Sequence, residues 1–290
     1  MKIGIYSHAT IDNIVDGDVV YDVPGGPACY CSLTARYQKC EVFLSTKFGP
    51  DFPLINFLKE NYIKTIDGQS EKLTTHFKII LNDSDRNLFI ENRCEELKYV
   101  DEQSDGLIIS PVYDEISVQL FQKIKHSSNF VFLDPQGFLR THDSNNKIFL
   151  KETKLDLSDI SAIKVNSDEL IAMTGKNDDS ALKSIQKQGI KYVILTDKQN
   201  ISLLVKDRIY SIQLPNIELI DTTGIGDIFS ATFCCTLLKE KDFLWALSFA
   251  GGAAQAALES KNFGLKKVPQ KREIENNGSY FYNMVKFRQL

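Results

Sequence analysis

Short apolar runs alternate with helical patterns along most of the chain. Six of these runs have the length and continuous apolar character of buried strands: Lys2–Tyr6, Glu41–Ser45, Gly106–Ser110, Phe130–Asp134, Ser161–Val165 and Tyr192–Thr196. Between most of them the pattern is helical, for example over Glu115–His126 and Asp179–Gln188. Strands that alternate with helices are typical of an α/β fold built on a mostly parallel sheet.

One stretch departs from this alternation. His76–Asn92 contains two strand-like runs on either side of the turn-rich sequence NDSDRN, which predicts a β-hairpin. Together with Thr10–Val23, this hairpin is expected to form a small sheet that stands off the main fold as a lid. No internal repeat, low-complexity block or Pro/Gly/Ser-rich linker divides the chain. We therefore expect residues 1–290 to form a single domain, with a lid made of residues 10–23 and 76–92.

Polar residues lie at the carboxyl ends of several predicted strands. They are Ser110, Asp134, Asn166 and Thr196. In open α/β sheets, ligands bind beyond the carboxyl ends of the strands, so these side chains are expected to converge on one site. Each of them, taken alone, can instead cap the helix that follows its strand.

The composition limits the class of partner. The chain has 290 residues, of which 43% are hydrophobic and 25% charged, and its net charge is -4. This mild acidity gives no basic surface for nucleic acid or for an anionic membrane. The longest apolar run, Phe243–Leu258, is too short to span a bilayer comfortably and contains Ser248 and Gln255, which favours a buried helix. We expect a small-molecule substrate, with neither nucleic acid nor a membrane as partner.

The amino terminus and the cysteines indicate a compartment. The chain starts Met-Lys and passes directly into a strand-like run, with no leader pattern. Its six cysteines form no C-x-x-C pair, so neither a zinc site nor a disulfide framework is expected. Its four histidines are isolated, without the spacing of metal ligands. A reduced, cytoplasmic protein is therefore expected.

The sequence LIDTTGIGDIFSATFCCTLL, residues 219–238, places two glycines before an apolar helical run. Gly224 and Gly226 let the backbone turn tightly into a helix that is expected to begin near Asp227. The free N–H groups and the positive dipole end of such a helix form an anion site. A carboxylate beside that site suits a base, which takes a proton from a hydroxyl while the amides stabilise a phosphoryl group in transfer. The alternative is a glycine turn in which Asp227 only interacts with the helix dipole.

These residues resemble those of a known family. DTTGIGD is similar to the Asp-Thr-x-Gly-Ala-Gly-Asp signature of the ribokinase-like (PfkB) carbohydrate kinases. Four other stretches resemble motifs of the same family: SHATIDNI, VPGGPACYCSLTAR, VNSDELIAMTG and FAGGAAQAALESKNFG. The resemblance implies a three-layer α/β/α fold with a small β lid. It also implies a kinase that uses ATP and Mg²⁺ to phosphorylate an alcohol group.

The resemblance assigns roles to individual residues. Asp227 corresponds to the catalytic base, and the amides of Gly224, Ile225 and Gly226 correspond to the anion hole. Residues expected at the acceptor substrate are Asp12, Gly25, Gly26, Gln136 and Arg140. Residues expected at the nucleotide are Asn166, Thr196, Lys198, Asn200, Asn262 and Gly264. Residues expected to bind the metal through water are Asn166 and Glu169.

Three departures from the family pattern bear on the substrates. Ile225 replaces the usual alanine, which is harmless if only its amide acts. Tyr30 stands where many sugar kinases of the family have an asparagine, which points away from ribose. The Thr-x-Gly-x-x-Gly element that usually holds nucleotide phosphates reads TDKQNI from Thr196 onward and contains no glycine. There, Asn200 is expected to take the left-handed conformation, which asparagine tolerates, and Lys198 to meet phosphate oxygens.

The phosphate acceptor is predicted from one stretch and from the charges near it. LDPQGFLR, residues 133–140, is similar to the Asp-x-Gln-Gly-x-x-Arg sequence of inositol-kinase members of the family. Carboxylates and amides that bind several hydroxyls suit a neutral, hydroxyl-dense molecule. A phosphorylated sugar would need more cations than Arg86, Arg93 and Arg140. We expect a cyclic polyol such as myo-inositol; a nucleoside, or a free hexose or pentose, is the alternative.

Other interpretations of these features stay open. The pocket could belong to a non-catalytic binder, although such a protein has no need for a base beside an anion hole. Asp134-Pro135 could simply end a strand, and Arg140 could pair with a surface carboxylate. The lid is expected to hinge at Gly25-Gly26, but its hairpin could instead serve as a homodimer interface, because exposed edge strands need cover.

Overall fold

A computed structural model of the chain describes residues 1–82, 85–216 and 221–290. Its helices are α1 (Gly26–Tyr37), α2 (Ile55–Glu60), α3 (Val118–Lys125), α4 (Gln136–Leu139), α5 (Ser167–Thr174), α6 (Asp179–Gln186), α7 (Ile225–Glu240), α8 (Phe243–Glu259) and α9 (Lys271–Met284). A 3-10 helix, Gly264–Lys267, lies between α8 and α9.

The strands follow the order of the chain. They are β1 (Lys2–Tyr6), β2 (Thr10–Asp16), β3 (Val19–Gly25), β4 (Glu41–Ser45), β5 (Ile63–Ile66), β6 (Thr75–Asn82), β7 (Asp85–Asn92), β8 (Gly106–Ile109), β9 (Val131–Leu133), β10 (Arg140–His142), β11 (Ile148–Leu150), β12 (Ala162–Asn166), β13 (Tyr192–Asp197), β14 (Asn200–Val205), β15 (Arg208–Gln213) and β16 (Lys286–Gln289). All six predicted strands occur within one or two residues of their expected bounds.

The main sheet has the order β16-β15-β14-β13-β12-β9-β8-β1-β4-β5 among the described residues. The strands from β13 to β5 are parallel, whereas β14, β15 and β16 pair antiparallel at one edge. The parallel strands are buried on both faces, which is why they read as continuous apolar runs. Ile3 and Ile5 of β1 pack towards α1, α7 and α8, and Tyr6 packs in the opposite core with α3, α5 and α6. The predicted three-layer α/β/α fold is confirmed.

A second sheet has the order β3-β2-β6-β7 among the described residues and covers one end of the main sheet. It contains both stretches that were expected to form a lid, with β2 and β6 parallel and the other pairs antiparallel. The residues of its inner face include Ile14, Val23 and Ile79, which are buried together. Residues 83–84 of the predicted turn lie outside the described residues. The movement of this sheet as a lid stays a prediction.

Several elements were not predicted, and two groups of strands among them shape the ends of the sheets. One is the antiparallel edge of the main sheet, in which β16 is fully exposed. The other is the hairpin β10–β11, which attaches to the small sheet because the N–H of Ile90 donates to the carbonyl of Asn146 at 3.0 Å. Residues 217–220, which precede the glycine motif, lie outside the described residues.

The apolar run near residue 250 is the buried helix α8, as predicted. An all-round apolar helix has no polar face for solvent, so it packs inside the fold. In the part of the chain that the structure describes, no helix is long and apolar enough to cross a membrane.

Candidate active site

The turn before α7 has the conformation that the glycine motif predicts. Gly224 is the residue before the helix and has a left-handed backbone, with φ of 74°. A Cβ at this position would lie 2.5 Å from the ring of Tyr30, so the turn needs glycine for both backbone and space. The first N–H groups of α7 have no partner within the helix, and that of Ile225 donates to the Thr222 carbonyl at a long 3.4 Å. The turn therefore has the features of an anion site.

Asp227 lies in the first turn of α7, half-buried in the wall of a pocket. Burial and the neighbouring charge of Asp134 raise the pKa of Asp227 from 3.8 to about 8, although Lys164 and Arg140 act in the opposite direction. A carboxyl group whose pKa lies near neutrality is poised to accept and release a proton.

Lys164 and Asp134 form a buried ion pair beside this turn, with 2.8 Å between Nζ and Oδ2. Burial alone would lower the pKa of Lys164, but the charges of Asp134 and Glu169 raise it above its ordinary value. A Cβ on Gly226 would lie 3.4 Å from the Lys164 ammonium, which places this cation next to the anion site. Lys164 was not predicted from the sequence. Its signal was a lysine inside the apolar strand SAIKV, where a charge needs a buried partner.

A pocket of about 430 Å³ lies between the small sheet and the carboxyl ends of β9 and β12. Of the predicted acceptor residues, Asp12, Gly26, Gln136 and Arg140 line it, together with Asp227. Gly25 is the residue before α1 and adjoins the pocket through Gly26. Further polar residues in the wall are Thr10, Tyr30, Asn87, Lys147 and Asp168. The structure thus brings together residues that are far apart in the sequence.

Two hydroxyls of this pocket are buried without a hydrogen-bond partner among the described residues, Thr10 Oγ1 and Tyr30 OH. Because both residues line the pocket, their hydroxyls are available to a polar ligand there. Arg140 donates from Nη1 to the Val112 carbonyl at 3.0 Å, and its guanidinium lies 5.8 Å from the ring centroid of Phe77. Arg140 is therefore part of the pocket wall.

The loop that carries Gln136 is held close to the strand end. Gln136 donates its N–H to Asp134 Oδ1 at 3.4 Å, and a Cβ on Gly137 would lie 2.5 Å from the backbone of Pro111. Only glycine fits there, which explains the Gln-Gly pair. Asp134 therefore positions both Lys164 and the loop of Gln136, and does more than end a strand.

A second pocket, of about 710 Å³, lies on the other side of the glycine turn. Asn166, Thr196 and Lys198 line its polar part, as expected for the nucleotide. The remaining wall is mostly apolar and includes Ile201, Leu214, Pro215, Ile225, Phe229, Ala254 and Leu258. Gly226 lines both pockets, so they meet at the predicted anion hole.

Three residues expected at the nucleotide do not line this pocket. Asn200 begins β14, and the left-handed residue of the tight turn is Lys198, with φ of 51°, because Asp197 and Asn200 pair as the last rungs of the hairpin. The expectation of a left-handed Asn200 was therefore wrong. Asn262 lines a separate hollow near α9, and Gly264 borders a groove against β3.

Asn166 and Glu169 form a capping box at the start of α5. Asn166 Oδ1 accepts the N–H of Glu169, and Glu169 Oε2 accepts the N–H of Asn166, both at 2.8 Å. Burial raises the pKa of Glu169, and Lys164 opposes that effect. The described residues contain no group of three or more His, Cys, Asp or Glu that could hold an ion directly. The oxygen donors fit Mg²⁺ that is bound mainly by water and phosphate.

Comparison with known proteins identifies the family. The family model of the pfkB family carbohydrate kinases matches residues 6–271. Ribokinase of Bacillus subtilis (strain 168) is 25% identical over 279 residues, which cover 87% of each chain. Ribokinase of Arabidopsis thaliana is 25% identical over 189 residues, 62% of this chain and 47% of the relative, so this match spans about half of that relative.

Solved structures share the fold. A pyrophosphate-dependent kinase in the ribokinase family, complexed with a pyrophosphate analog and myo-inositol, superposes with a TM-score of 0.82 at 20% identity and covers 94% of this chain and 99% of its own. Arabidopsis thaliana ribokinase complexed with ribose and ATP superposes with a TM-score of 0.72 at 17% identity, covering 96% and 98%. The chain belongs to the pfkB family of carbohydrate kinases and is a phosphotransferase that acts on an alcohol group.

Proposed function

We propose that the protein transfers the γ-phosphate of ATP to a hydroxyl of a neutral polyol, with myo-inositol as the first candidate. The observation that carries this proposal is the meeting of two unlike pockets at Gly226. One pocket combines polar and charged side chains, among them the candidate base, with apolar residues of the small sheet; the other is mostly apolar, with Asn166, Thr196 and Lys198 in its polar part. We call them the acceptor pocket and the donor pocket.

The acceptor pocket suits a molecule with many hydroxyls. Asp12 and Gln136 offer acceptors, Arg140 offers donors, and the hydroxyls of Thr10 and Tyr30 complete the set. A site built to hydrogen-bond several hydroxyls rejects analogues that lack them, because its own polar groups are then left unpaired. These groups favour a cyclic polyol, whose hydroxyls can reach several of them at once, although the small sheet also contributes apolar residues to the pocket.

The charges argue against a phosphorylated acceptor. Lys164 is engaged by Asp134, and Lys147 is exposed at the rim of the acceptor pocket. Arg93, which was expected near the lid, forms ion pairs with Glu96 and Asp114 and does not line the pocket. The side chain of Arg86 lies outside the described residues. Asp12 and Asp227 would also repel a phosphate group.

The donor pocket favours a nucleotide over inorganic pyrophosphate. Ile201, Leu214 and Leu258 provide an apolar wall that a base can cover, whereas pyrophosphate has no apolar part. Lys198 and Thr196 lie at the polar end, where the phosphates of ATP would reach the glycine turn. The related kinase that superposes with a TM-score of 0.82 is pyrophosphate-dependent, so the donor needs a direct test.

The proposed reaction follows from these positions. Asp227 takes the proton of the acceptor hydroxyl as that oxygen forms a bond to the γ-phosphorus. The bond from the γ-phosphorus to the β–γ bridging oxygen breaks, and ADP leaves. The amides of Gly224, Ile225 and Gly226 stabilise the charge of the phosphoryl group in transfer. Mg²⁺ near Asn166 and Glu169 would supply further charge neutralisation, and the small sheet would keep water out.

A donor and acceptor panel tests the proposal. ATP and pyrophosphate would each be mixed with myo-inositol, adenosine, ribose, glucose or fructose, and phosphorus NMR would identify products. We expect ATP with myo-inositol to give the fastest turnover. If inositol is inert while a nucleoside or free sugar reacts, the substrate assignment is wrong and the kinase assignment stands. If the enzyme turns over with pyrophosphate and not with ATP, the assignment of ATP as the phosphate donor is wrong.

A variant tests whether the acceptor pocket binds the polyol. Gln136→Ala should raise KM for myo-inositol about tenfold and leave KM for ATP within about twofold, because the amide lies in the acceptor pocket only. Gln188→Ala, at an exposed position far from both pockets, is the matched control. Equal changes in both KM values would contradict the assignment.

We further propose that the protein is a homodimer whose interface is formed by the small sheet. Its edge strand β3 has Val19 and Val20 each 60% exposed, and an exposed apolar edge invites pairing with another chain. Sedimentation velocity should give a dimer for the native chain and a monomer for Val20→Lys. A native monomer at micromolar concentration would reject this interface.

A further inference from the structure

A second buried lysine lies behind the glycine turn. Lys267 ends the 3-10 helix, and its side chain is 0% exposed. Its ammonium lies 2.8 Å from Asp221 Oδ2 and donates to the Asp221 carbonyl at 2.9 Å. Asp221 is the first residue of DTTGIGD, so this cation touches the start of the motif that forms the turn.

The Asp221 carboxylate also accepts hydrogen bonds from two different segments of the chain. Its Oδ1 accepts the N–H of Thr223 at 2.8 Å, and its Oδ2 accepts the N–H of Gly264 at 3.0 Å. Burial alone would raise the pKa of Asp221, but Lys267 and these amides hold it below its ordinary value. The carboxylate therefore joins the residues that lead into the turn to the 3-10 helix.

Tyr30 connects the same lysine to the turn from the other side. The Lys267 ammonium lies 5.9 Å from the centroid of the Tyr30 ring. That ring packs against Gly224, where a Cβ would lie 2.5 Å from it. Lys267 thus faces both groups that fix Gly224, the Asp221–Thr223 segment and the aromatic ring.

We propose that Lys267 is an internal cation that holds the segment Asp221–Gly226 in the shape needed to bind the phosphoryl group, which makes it a positioning residue for transfer. The proposal rests on the proposed role of that turn as the anion hole. Lys267 lines neither the acceptor pocket nor the donor pocket, so it acts through the backbone and not through contact with substrate.

The charge of Lys267 matters more than its bulk. A neutral side chain would leave the Asp221 carboxylate and carbonyl buried without a cation, which is the costly way to break a buried pair. The segment would then relax, and the amides of the anion hole would move. A shift of about 1 Å in a positioning group costs about 10²-fold in rate. The acceptor residues on the opposite wall keep their places, so kcat should fall without a matching rise in KM.

A small cation should replace the lost ammonium. Lys267→Ala opens a cavity lined by the two Asp221 oxygens, and ammonium or methylammonium ions carry the charge and the N–H donors that these oxygens need. Tetramethylammonium has no N–H and is too large for the same position. The native chain already fills the site, so its rate should not depend on which of these cations is present.

The experiment compares Lys267→Ala with Lys266→Ala, the exposed neighbour on the same helix, at constant ionic strength. We expect Lys267→Ala to lose about 10²-fold in kcat with KM for the acceptor within about threefold, and to recover about tenfold with methylammonium but not with tetramethylammonium. Lys266→Ala and the native chain should respond to neither salt. Native kcat in Lys267→Ala, or a loss that methylammonium does not restore in folded protein, would overturn the proposal.

Two further measurements keep the test decisive. Hydrogen exchange of the peptide over residues 222–228 should be several-fold faster in Lys267→Ala, with α9 unchanged, whether or not a phosphate acceptor has been identified. Unchanged exchange would overturn the proposed role of Lys267. If exchange is faster in Lys267→Ala but the native chain shows no kinase activity, only the proposed function is rejected. If Lys267→Ala does not fold, Asp221→Asn should show the same fall in kcat without rescue, because Lys267 still fills the cavity; native kcat there would refute the proposal.

Discussion

The proposed acceptor and donor pockets share Gly226 but differ in the chemistry of their walls. The acceptor pocket has about 430 Å³, and its wall combines carboxylates, amides, hydroxyls and cations with apolar side chains of the small sheet and of the hairpin β10–β11. The donor pocket has about 710 Å³ and a wall made mostly of aliphatic and aromatic side chains. Sites that hydrogen-bond their ligand discriminate sharply against analogues that lack a polar group. Apolar sites discriminate weakly between ligands that differ by a methylene group. Acceptor choice should therefore be strict, and donor choice graded.

Most of the charged side chains that line the two pockets lie on the acceptor side. Asp227, Asp134 and Lys164 are packed together there, and Arg140 completes the set. On the donor side, the titratable group in the wall is Lys198, which is exposed. The pH dependence of catalysis should therefore come from the acceptor pocket, and it should be the same whichever donor is used.

The largest expected effect comes from the base. Asp227→Asn keeps the shape of the side chain but cannot accept a proton, so kcat should fall by about 10²–10⁴-fold. Binding of the acceptor, measured by calorimetry, should persist. Asp168→Asn changes a carboxylate that lines the same pocket but has no proposed part in proton transfer, and it is the matched control. Near-native turnover of the Asp227 variant would show that another group takes the proton.

The second effect is a dependence on pH. Burial and the charge of Asp134 raise the pKa of Asp227 to about 8, while Lys164 and Arg140 lower it. The proposed base must be ionised to accept a proton, so kcat/KM should fall about tenfold for each pH unit below about 8. Other titratable groups around Asp227 are Asp12, Tyr30, Cys29 and Cys31.

As pH rises, the contribution of Asp227 to folding stability should decrease, whereas kcat/KM should increase. The native state holds the Asp227 proton more tightly than the unfolded chain does, so this group stabilises the fold below the unfolded pKa of 3.8. That contribution is lost as pH rises towards about 8. The melting temperature of the native chain should fall relative to that of Asp227→Asn over this range. Parallel melting curves would mean that the carboxyl group titrates normally.

The sequence predicts best the parts of the fold that are buried on both sides. The parallel strands read as continuous apolar runs because helices cover both faces. The glycine turn was predictable because a left-handed backbone and a close ring both require glycine at residue 224. The hairpin β10–β11 was missed because three-residue strands show no periodicity, and β16 because all of its residues are exposed.

Partners across the fold were the part that sequence reasoning could not supply. The partners of Lys164 and Lys267 are Asp134 and Asp221, which lie 30 and 46 residues away along the chain, so these ion pairs are visible only in the folded structure. Asn200 was misplaced for a related reason. Local preference favoured it for the left-handed position, but strand pairing gave that position to Lys198. Tertiary context decided both cases.

A moderate effect is expected from a change in the apolar wall of the donor pocket, and it should be confined to KM for ATP. Leu258→Ala removes aliphatic surface from the donor pocket, and the loss of a few buried methyl groups corresponds to about a tenfold rise in KM for ATP. KM for the acceptor should not change. Leu238→Ala, a comparable leucine that lies away from both pockets, is the control. A rise in KM for the acceptor instead would mean that the two pockets are not independent.

The smallest expected effect concerns the limit of the donor pocket. Asn262 was expected to bind nucleotide, yet it lies in a hollow beside α9, whereas Thr196 lies in the donor wall. Asn262→Ala should therefore change KM for ATP by less than about twofold, and Thr196→Val by about fivefold, because only the second variant removes a hydroxyl near the phosphates. Both would be measured with saturating acceptor. If Asn262→Ala raised KM for ATP as much as Thr196→Val does, the nucleotide would have to extend beyond Leu258 into that hollow, and the donor pocket would be larger than its apolar wall indicates.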